Sequence, residues 1–565
     1  MRRGILVPAL LVVLSVGTGG WLLQEGVDRA ENVYVKVRLF QEVMDRVESS
    51  FVDDVALPDL YDSAIEGVLE ELDDPYSSYL PAVDYENLRI RTEGDYGGVG
   101  LEVIERNGWV TVVTPMPGGP GGRAGIRSGD QFFEIEGIPA DTMASGTAVD
   151  LLRGEPGTPV SVKMLRPGVE DPISFTLTRE EIQLRAVPFA TMLEEGIGYV
   201  PLQSVLGTSS GEIRQAVDSL RDQGMEELVL DLRGNPGGLL DEGIAVSDLF
   251  LESGAAIVET RGRAATQNET YRASRGDRYD GLSVLVLVDG ASASASEIVA
   301  GALQDHDRAL VVGESTFGKG VVQSLFQLSG GNVLRLTTAR WYTPVGRSIH
   351  KEDEDRAEEV QDGHPALALS GQITTAPELE GRPTVSSMAG RTLFGGGGIT
   401  PDVLVLPDTL TDTEEVAVRS IYREAGRFNI ALFNFAVRFV SEHPGLATGF
   451  RLTDADLEAF YQALPEWEID VNRQDFQDAR RFVEYQLERE IALQAWGDAG
   501  QFRQTWRYDR PLTRSLELLR EARSTDELLA LGARVPEAAV QRAEVAGGVG
   551  QEADSGSVGA VPEGR

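Results

Sequence analysis

The sequence predicts an α/β core with a mostly-β domain inserted ahead of it, an N-terminal helical segment and a C-terminal α-helical extension. Residues 196–350 alternate strand-like and helical segments, which is typical of α/β proteins. From residue 96 the chain changes to short strands punctuated by Gly and Pro, and residues 412–535 form amphipathic helices. A chain of 565 residues is also too long for one hydrophobic core.

The first residues contain an apolar segment that is long enough to span a bilayer. MRRGILVPALLVVLSVGTGGWLLQEG places two Arg ahead of the apolar residues 5–23. The Arg pair keeps the start of the chain in the cytoplasm, so the bulk of the chain is exported. A cleaved signal peptide ending near residues 17–20 is the alternative, although no A-x-A site follows. We expect a periplasmic or other extracytoplasmic protein, held at the inner membrane by one N-terminal transmembrane helix.

Composition excludes several classes of function. The net charge of -39 argues against nucleic-acid binding, which needs a basic surface. The chain has no Cys, so thiolate catalysis and Cys-ligated metals are excluded, and none of its four His stands in a metal-binding pair. We therefore expect no metal and no cofactor. Only four of the 51 basic residues are Lys, and only Lys can lose its proton when buried.

The segment ASASASE, residues 291–297, follows a strand-like run, VLVLVDG. Ser294 and Glu297 match an S-x-x-E capping box, so a plain strand-to-helix turn explains the segment. The segment can also hold a serine nucleophile on a sharp turn, where small neighbours let a substrate approach closely. The spacing alone favours the helix cap, and the rest of the sequence has to decide.

Lys319 lies in GESTFGKGVVQ, residues 313–323, after the next strand-like run. Gly313, Gly318 and Lys319 satisfy the front of a phosphate-binding loop. Gly320 stands where that loop needs a hydroxyl for magnesium, and the following VVQSLFQL is strand-like, so a nucleotide site is disfavoured. Lys319 is then either a solvated loop cation or a desolvated Lys, whose pKa is lowered and which can act as a general base.

Ser294 and Lys319 each follow a strand, and in a parallel sheet both emerge at the same carboxyl edge, where active sites collect. Ser/Lys pairs are an accepted variant of nucleophilic catalysis. Gln323, four residues after Lys319, is placed to hold the amine by hydrogen bonding. A third strand, LVLDLRG, ends in the glycine-rich turn of residues 234–238. Its backbone N–H groups can face an oxyanion, or the segment is simply a tight turn.

Four motifs together, SASASEIVAGALQD, VVGESTFGKGVVQ, DLRGNPGG and TARWYTPVGRSI, resemble the carboxy-terminal processing (tail-specific) peptidases, serine proteases with a Ser/Lys dyad. The resemblance extends upstream to LDDPYSSYL and YGGVGLEV, and downstream to GITPDV. It covers roughly residues 30–350 and 395–406. We therefore expect a serine peptidase that cleaves exported proteins near their C-termini.

The resemblance implies a role for each site residue. Ser294 is the expected nucleophile, Lys319 the general base and Gln323 the residue that supports it. The expected oxyanion donors are the amide of Ala295 and a glycine of the NPGG turn. For the second donor we choose Gly237, with the next glycine as a close alternative.

The resemblance also implies a PDZ domain over residues 84–182, with YGGVGLEV as its carboxylate-binding loop. Consecutive N–H groups of Gly98, Val99, Gly100 and Leu101 can capture a C-terminal carboxylate, and the neighbouring strand edge can accept the peptide as an added strand. The expected partners are therefore proteins or peptides with free C-termini. The alternative function is a catalytically silent, exported PDZ scaffold that binds such C-termini.

Two regions depart from the family pattern. An acidic insertion interrupts the path from GRSI to GITPDV, and a C-terminal helical region exceeds a minimal family member. This helical region is expected to mediate homo-oligomerisation, to dock an adaptor or to brace the core. The expected divisions are 1–24 (membrane anchor or signal segment), 25–83 (N-terminal helical region), 84–182 (PDZ domain), 183–350 (protease core), 351–394 (acidic insertion), 395–410 (return of the core), 411–540 (C-terminal helical region) and 541–565 (disordered tail).

Overall fold

The computed structural model describes residues 34–533 except residues 107, 117, 142, 167–168, 170, 353–364, 377–378 and 380. The expected membrane segment and the expected disordered tail lie outside these residues. Among the helices within the described ranges, none combines the length and apolar character needed to cross a bilayer. The chain forms two compact units. The smaller unit ends at Tyr85 and takes in Gln323–Thr337, and the larger unit comprises Glu86–Val322 and the chain from Thr338 onward.

The smaller unit begins with two helices. Helix α1 covers residues 34–50 and α2 covers Leu57–Glu70, where the helical spacing of apolar residues predicts helices. Strand β1 (Ser78–Leu80) follows. It pairs antiparallel with residues 333–335 of a later strand, which also belong to this unit.

The larger unit starts with a small, mostly-β domain. Its strands are β2 (Asp95–Gly98), β3 (Leu101–Arg106), β4 (Trp109–Pro115), β5 (Gln131–Ile135), β6 (Ile138–Pro139), β7 (Pro159–Leu165), β8 (Ile173–Thr178) and β9 (Glu180–Gln183). Its helices are α3 (Ala82–Glu93), which leads into it from the smaller unit, α4 (Pro120–Arg123) and α5 (Ser145–Leu152). Five strands form an antiparallel sheet in the order β3-β4-β5-β7-β8, β6 pairs with β5, and β2 pairs separately with β9. Within the described part of this sheet, β3 is an edge strand.

The α/β part follows with strands β10 (Thr191–Glu194), β11 (Ile197–Pro201), β12 (Glu227–Asp231), β13 (Ala256–Gly262), β14 (Glu269–Arg272), β15 (Ser283–Val288), β16 (Ala309–Gly313), β17 (Val321–Gln327) and β18 (Val333–Tyr342). Its helices are α6 (Ser209–Asp222), α7 (Leu240–Asp248) and α8 (Ala295–Asp305). The central sheet has the order β10-β11-β12-β15-β16, followed by a last short strand, β23 (Val403–Leu404). Within this sheet β11, β12, β15, β16 and β23 run parallel, and β10 is antiparallel at the edge.

Both faces of the central sheet are buried. Val284 and Val286 of β15 join the hydrophobic core formed with α6, α7 and α8, whereas Leu285 and Leu287 join a second core on the opposite face. This alternation follows because successive side chains of a strand point to opposite faces. A parallel sheet covered on both sides reads as a continuous apolar run, as VLVLV does.

The opposite face is covered by the last helices of the described chain. The C-terminal helices are α9 (Asp412–Ile421), α10 (Ala425–Glu442), α11 (Asp454–Ala463), α12 (Arg473–Asp478), α13 (Arg480–Thr505), α14 (Arg510–Glu521) and α15 (Thr525–Gly532). Helices α9 to α13 bury a core of their own. Leu512 and Leu516 of α14 and Leu528 of α15 pack on the sheet. Of the three expected roles of this region, the structure therefore shows that it braces the core.

The described part of residues 351–394 forms two short antiparallel hairpins. They pair β19 (Ala366–Leu367) with β20 (Ile373–Thr374), and β21 (Thr384–Ser386) with β22 (Thr392–Phe394). Arg391 forms ion pairs with Asp307, just past α8, and with Asp402. The insertion is thereby fastened to the end of the helix that begins after Ser294.

Candidate active site

The central sheet brings three sequence motifs to one edge. Strands β12, β15 and β16 are neighbours and run parallel, so their carboxyl ends lie side by side. The segments that leave these ends carry DLRGNPGG, ASASASE and GESTFGKG. The strand order therefore provides the shared edge that the sequence predicts for Ser294 and Lys319.

The three serines of ASASASE have different environments. Ser292 and Ser296 are fully buried, whereas Ser294 is partly exposed. The Ser292 hydroxyl donates to the Leu232 carbonyl at 2.8 Å, and the Ser296 hydroxyl donates to the Asn235 carbonyl at 3.1 Å. Ser292 and Ser296 thus hold the segment against the glycine-rich turn, and Ser294 alone of the three reaches solvent.

Ser294 has an unusual backbone conformation at the start of α8. Its φ is 55° and its ψ is -115°, although it is not a glycine. Such conformations cost on the order of 1–3 kcal/mol and cluster at functional sites. The next residue, Ala295, is the first of the helix, so its N–H has no partner within the helix. The turn therefore presents a serine beside an N–H group that has no partner within its own helix.

Glu297 connects the segments that bear Ser294 and Lys319. Its carboxylate accepts the N–H of Ser294 at 2.7 Å and the N–H of Lys319 at 2.9 Å. It also accepts the N–H of Gly318 at 2.7 Å and the hydroxyl of Thr316 at 2.6 Å. The side chain is fully buried. Burial raises the pKa of the Glu297 carboxyl, and these hydrogen bonds offset part of that shift.

The main chain at Lys319 is also held by Trp341. The indole Nε1–H of Trp341 donates to the Lys319 carbonyl at 3.1 Å, and the Trp341 N–H donates to the Gly320 carbonyl at 3.0 Å. A Cβ at Gly320 would lie 2.9 Å from the backbone N of His350, and a Cβ at Gly318 would collide with the same segment. Close packing therefore explains the two glycines beside Lys319, which is itself partly buried.

The glycine-rich turn lies directly against Ser294. A Cβ at Gly237 would lie 2.9 Å from both the Ser294 Cβ and the Ala295 N. The Gly237 N–H, however, donates to the Asn235 side chain at 2.9 Å. The structure thus counts against Gly237 as the oxyanion donor. Gly238 is exposed, and within the described residues no hydrogen bond of its N–H is found.

Asn235 and Glu297 are the site residues that the sequence did not single out for function. Asn235 is fully buried, and its side chain donates to the Leu202 carbonyl at 2.7 Å. Its carbonyl accepts the Ala293 N–H at 3.0 Å and the Ser296 hydroxyl. The available signals were local: an Asn ahead of Pro-Gly-Gly, where Asx turns form, and the carboxylate that ends ASASASE.

Gln323 belongs to the smaller unit, where it lies on β17. Its side-chain amide donates a hydrogen bond to the Tyr76 carbonyl of the same unit. Lys319 belongs to the larger unit. The expected role of Gln323 beside the Lys319 amine stays a prediction.

The loop expected to bind a carboxylate joins β2 to β3. The Val99 carbonyl accepts the Gly121 N–H at 2.9 Å, and the Gly100 carbonyl accepts the Met116 N–H at 2.9 Å. Gly100 has a φ of +64°, which favours glycine. These bonds fix the loop at the start of β3, which is an edge strand among the described strands of its sheet and so is suited to pair with an added strand.

Known proteins resemble the chain over most of these elements. The model of peptidase family S41 matches residues 196–357, a PDZ domain model matches 111–166, and the model of the activating protease CtpB N-terminal domain matches 22–83. The carboxy-terminal-processing protease of Bartonella bacilliformis is 40% identical over 326 residues, which is 56% of this chain and 74% of that protein.

Two further proteins are similar to the chain. The carboxy-terminal processing protease CtpA of Bacillus subtilis is 32% identical over 346 residues, 61% of this chain and 73% of that protein. Among solved structures, a photosystem II D1 C-terminal processing protease is 32% identical. The match covers 55% of this chain and 89% of that one, with a TM-score of 0.32.

Proposed function

Because the chain belongs to the carboxy-terminal-processing proteases of peptidase family S41 and is a serine-type peptidase, we propose that it cleaves its substrates with a dyad of Ser294 and Lys319. One observation carries this assignment. The buried carboxylate of Glu297 accepts the backbone N–H groups of both Ser294 and Lys319 and so holds the two residues at one place. The partial exposure of Ser294, beside two buried serines, supports it as the nucleophile.

The proposed reaction is acyl transfer through the Ser294 hydroxyl. The neutral Lys319 amine takes the hydroxyl proton as Oγ bonds to the peptide carbonyl carbon, and the C–N bond then breaks. Lys319 returns the proton to the leaving amine. Water attacks the resulting ester, with Lys319 again as base, and Ser294 is restored. Gln323 is expected to orient the amine.

The oxyanion is proposed to be held by two backbone N–H groups. Ala295 supplies one, because the first N–H of a helix has no internal partner. For the second we now favour Gly238 over Gly237, since the Gly237 N–H already donates to Asn235. Two such donors that face the developing charge stabilise the transition state more than the ground state.

The PDZ domain is proposed to receive the substrate C-terminus. The N–H groups of Gly98, Val99, Gly100 and Leu101 would bind the terminal carboxylate, and the peptide would pair with the free edge of β3. A peptide with a free C-terminus should therefore bind, and its C-terminally amidated form should not. Equal affinity for both peptides would refute this part of the proposal.

The site of action is proposed from the sequence. We propose that residues 5–23 anchor the chain in the inner membrane, so that the protease faces exported proteins. The domain limits given above remain proposals, as do homo-oligomerisation and adaptor binding through the C-terminal helices. No nucleic-acid partner is expected.

Cleavage of an unfolded protein that ends in apolar residues tests the dyad. We expect the full chain to release C-terminal fragments, detected by mass spectrometry, and Ser294→Ala and Lys319→Ala to release none. Lys163→Ala is the matched control and should still cleave; Ser292→Ala and Ser296→Ala should also cleave, at a lower rate, because each removes a hydrogen bond that holds the segment against the glycine-rich turn. Because the base must be neutral, the rate should rise from pH 6 to pH 9 when chemistry is limiting.

The outcomes separate the alternatives. Continued cleavage by Ser294→Ala would refute the nucleophile assignment. A wild-type protein that binds C-terminal peptides but cleaves none of them would favour the silent scaffold.

A further inference from the structure

Arg233 links the glycine-rich turn to the C-terminal helical region. Its guanidinium donates to both carboxylate oxygens of Asp231, the last residue of β12, at distances from 2.6 to 3.1 Å. It also donates to both oxygens of Asp509, at 2.8 and 2.7 Å. Arg233 and Asp509 are 21% and 20% exposed, so this pair is largely shielded from water. Such bidentate pairs fix orientation as well as distance.

Asp509 is itself held firmly. It is the N-cap of α14, and its Oδ1 accepts the Leu512 N–H at 3.0 Å. Helix α14 packs against the central sheet through Leu512 and Leu516, both fully buried. The cap and the packing together fix the carboxylate that Arg233 meets.

A second contact, through Tyr199, joins Asp231 to the C-terminal helices. Tyr199 of β11 donates its hydroxyl to Asp231 at 2.7 Å. Its ring stacks on Phe502 of α13, with centroids 4.3 Å apart and an interplanar angle of 14°. The end of β12 is therefore held by contacts with both the neighbouring strand β11 and the C-terminal helices, a few residues before Gly237 and Gly238.

The middle of the turn is held by the hydrogen bonds of Asn235 described above, and its start has further contacts. The Gly234 N–H donates to Asp289 at 3.0 Å, and the Asn235 N–H donates to the Leu232 carbonyl at 3.2 Å. Gly234 and Gly238 both have positive φ, so the backbone is permissive at these two positions, whereas the ring of Pro236 fixes φ between them. A permissive turn presents an N–H in one direction only when its ends are held.

We propose that Arg233 and Asp509 are positioning residues for catalysis. Through this ion pair the C-terminal helical region sets the conformation of the glycine-rich turn. It thereby sets the direction in which the oxyanion-binding N–H of the turn points. The region is then part of the catalytic machinery as well as a brace. This inference rests on the proposed dyad and oxyanion site.

The test compares Asp509→Asn with the wild-type full chain. Asn caps helices as well as Asp, so α14 should keep its start, whereas the ion pair with Arg233 is lost. We expect kcat to fall about 10- to 100-fold with KM changed less than about 2-fold, because only the transition state uses the turn. The affinity for a peptide boronic acid, which places a charged oxygen at the oxyanion position, should fall by the same factor.

The matched control is Glu194→Gln. Glu194 pairs with Arg520 of α14, so this change also removes an ion pair between the C-terminal helices and the sheet, but at a place remote from the turn. It should leave kcat within about 2-fold of wild type. Asp509→Glu, which keeps the charge, should recover most of kcat. The double variant Arg233→Gln/Asp509→Asn should lose no more than the worse single variant, because both act through one contact.

Three results would overturn the inference. They are a wild-type kcat in Asp509→Asn, an equal loss of kcat in Glu194→Gln, and unchanged boronic acid affinity despite a lower kcat. Ser294→Ala, measured in parallel, distinguishes a failure of the proposed dyad from a failure of the positioning role alone. If Ser294→Ala is inactive while Asp509→Asn is fully active, only the positioning role fails. If Ser294→Ala retains activity, the dyad fails and the positioning role fails with it.

Discussion

Glu297 illustrates what a single residue contributes to this site, and why the sequence did not reveal that contribution. The capping box that Glu297 forms with Ser294 could be predicted from the sequence, since the two residues are only three positions apart. Its bonds to Gly318 and Lys319 join segments 21 and 22 residues away, and no local spacing predicts such contacts. By contrast, Ser294 and Lys319 stood out from their residue types and from the strands that precede them.

Glu297→Gln should impair catalysis more than its effect on stability explains. The amide of Gln cannot accept hydrogen bonds at its nitrogen, so at least one of the donors from Ser294, Gly318 and Lys319 loses its acceptor. An unsatisfied buried donor costs about 1–3 kcal/mol of the free energy of unfolding. The shift of the Ser294 and Lys319 backbones should lower kcat by at least about 10-fold. Denaturant unfolding and steady-state kinetics measure the two effects.

Glu212→Gln provides the matched control. The Glu212 carboxylate likewise accepts two backbone N–H groups, of Ala186 and Val187, and the hydroxyl of Thr208. We expect a comparable loss of stability with kcat close to wild type. Equal values of kcat in Glu297→Gln and Glu212→Gln would show that Glu297 has no special role in the site.

At the scale of elements, the sequence predicted the strands and turns better than their detailed geometry. The alternation of strands and helices identified β12, β15 and β16, and the parallel order of these strands placed three turns at one edge. The choice between Gly237 and Gly238 could not be made in this way. It depends on which N–H the Asn235 side chain occupies, and that bond is visible only in the folded turn.

Gly237→Ala should inactivate the enzyme, and Gly234→Ala should not. Both glycines have positive φ, 90° and 69°, so either Ala carries a similar backbone penalty of about 1 kcal/mol. A Cβ at Gly237 would lie 2.6 Å from the Ala293 carbonyl oxygen and 2.9 Å from the Ser294 Cβ, whereas a Cβ at Gly234 meets nothing within 4 Å. We expect cleavage to fall more than about 100-fold in Gly237→Ala alone. Comparable activity of the two variants would contradict the close approach of this turn to Ser294.

At the scale of the whole chain, helix content could be predicted but the positions of the C-terminal helices could not. The Arg- and Glu-rich periodicity of residues 412–535 indicates amphipathic helices without naming the surface that their apolar faces cover. The structure shows that α14 and α15 complete the burial of the central sheet. The position of the 351–394 insertion was likewise not predictable, because Arg391 binds Asp307, a residue far away in sequence.

Leu516→Ala should destabilise the protease core although it lies in the C-terminal region. The Leu516 side chain is 1% exposed and lies in the same hydrophobic core as Leu285 and Leu310 of the sheet, so its truncation should cost about 2–5 kcal/mol of the free energy of unfolding. Arg514→Ala, on the same helix, removes only a surface ion pair with Glu517 and should cost less than about 1 kcal/mol. Urea unfolding of both variants measures the difference. Equal stability would mean that α14 is dispensable to the core.

The acyl-enzyme tests the central claim most directly. The full chain would be mixed with an activated ester substrate and quenched in acid within the first turnover, and the acylated residue would be located by digestion and mass spectrometry. The account predicts an acyl group on Ser294, none on Ser292 or Ser296, and no acylation in Ser294→Ala or Lys319→Ala. An acyl group on another residue, or turnover by the wild type with no acylated serine, would contradict it.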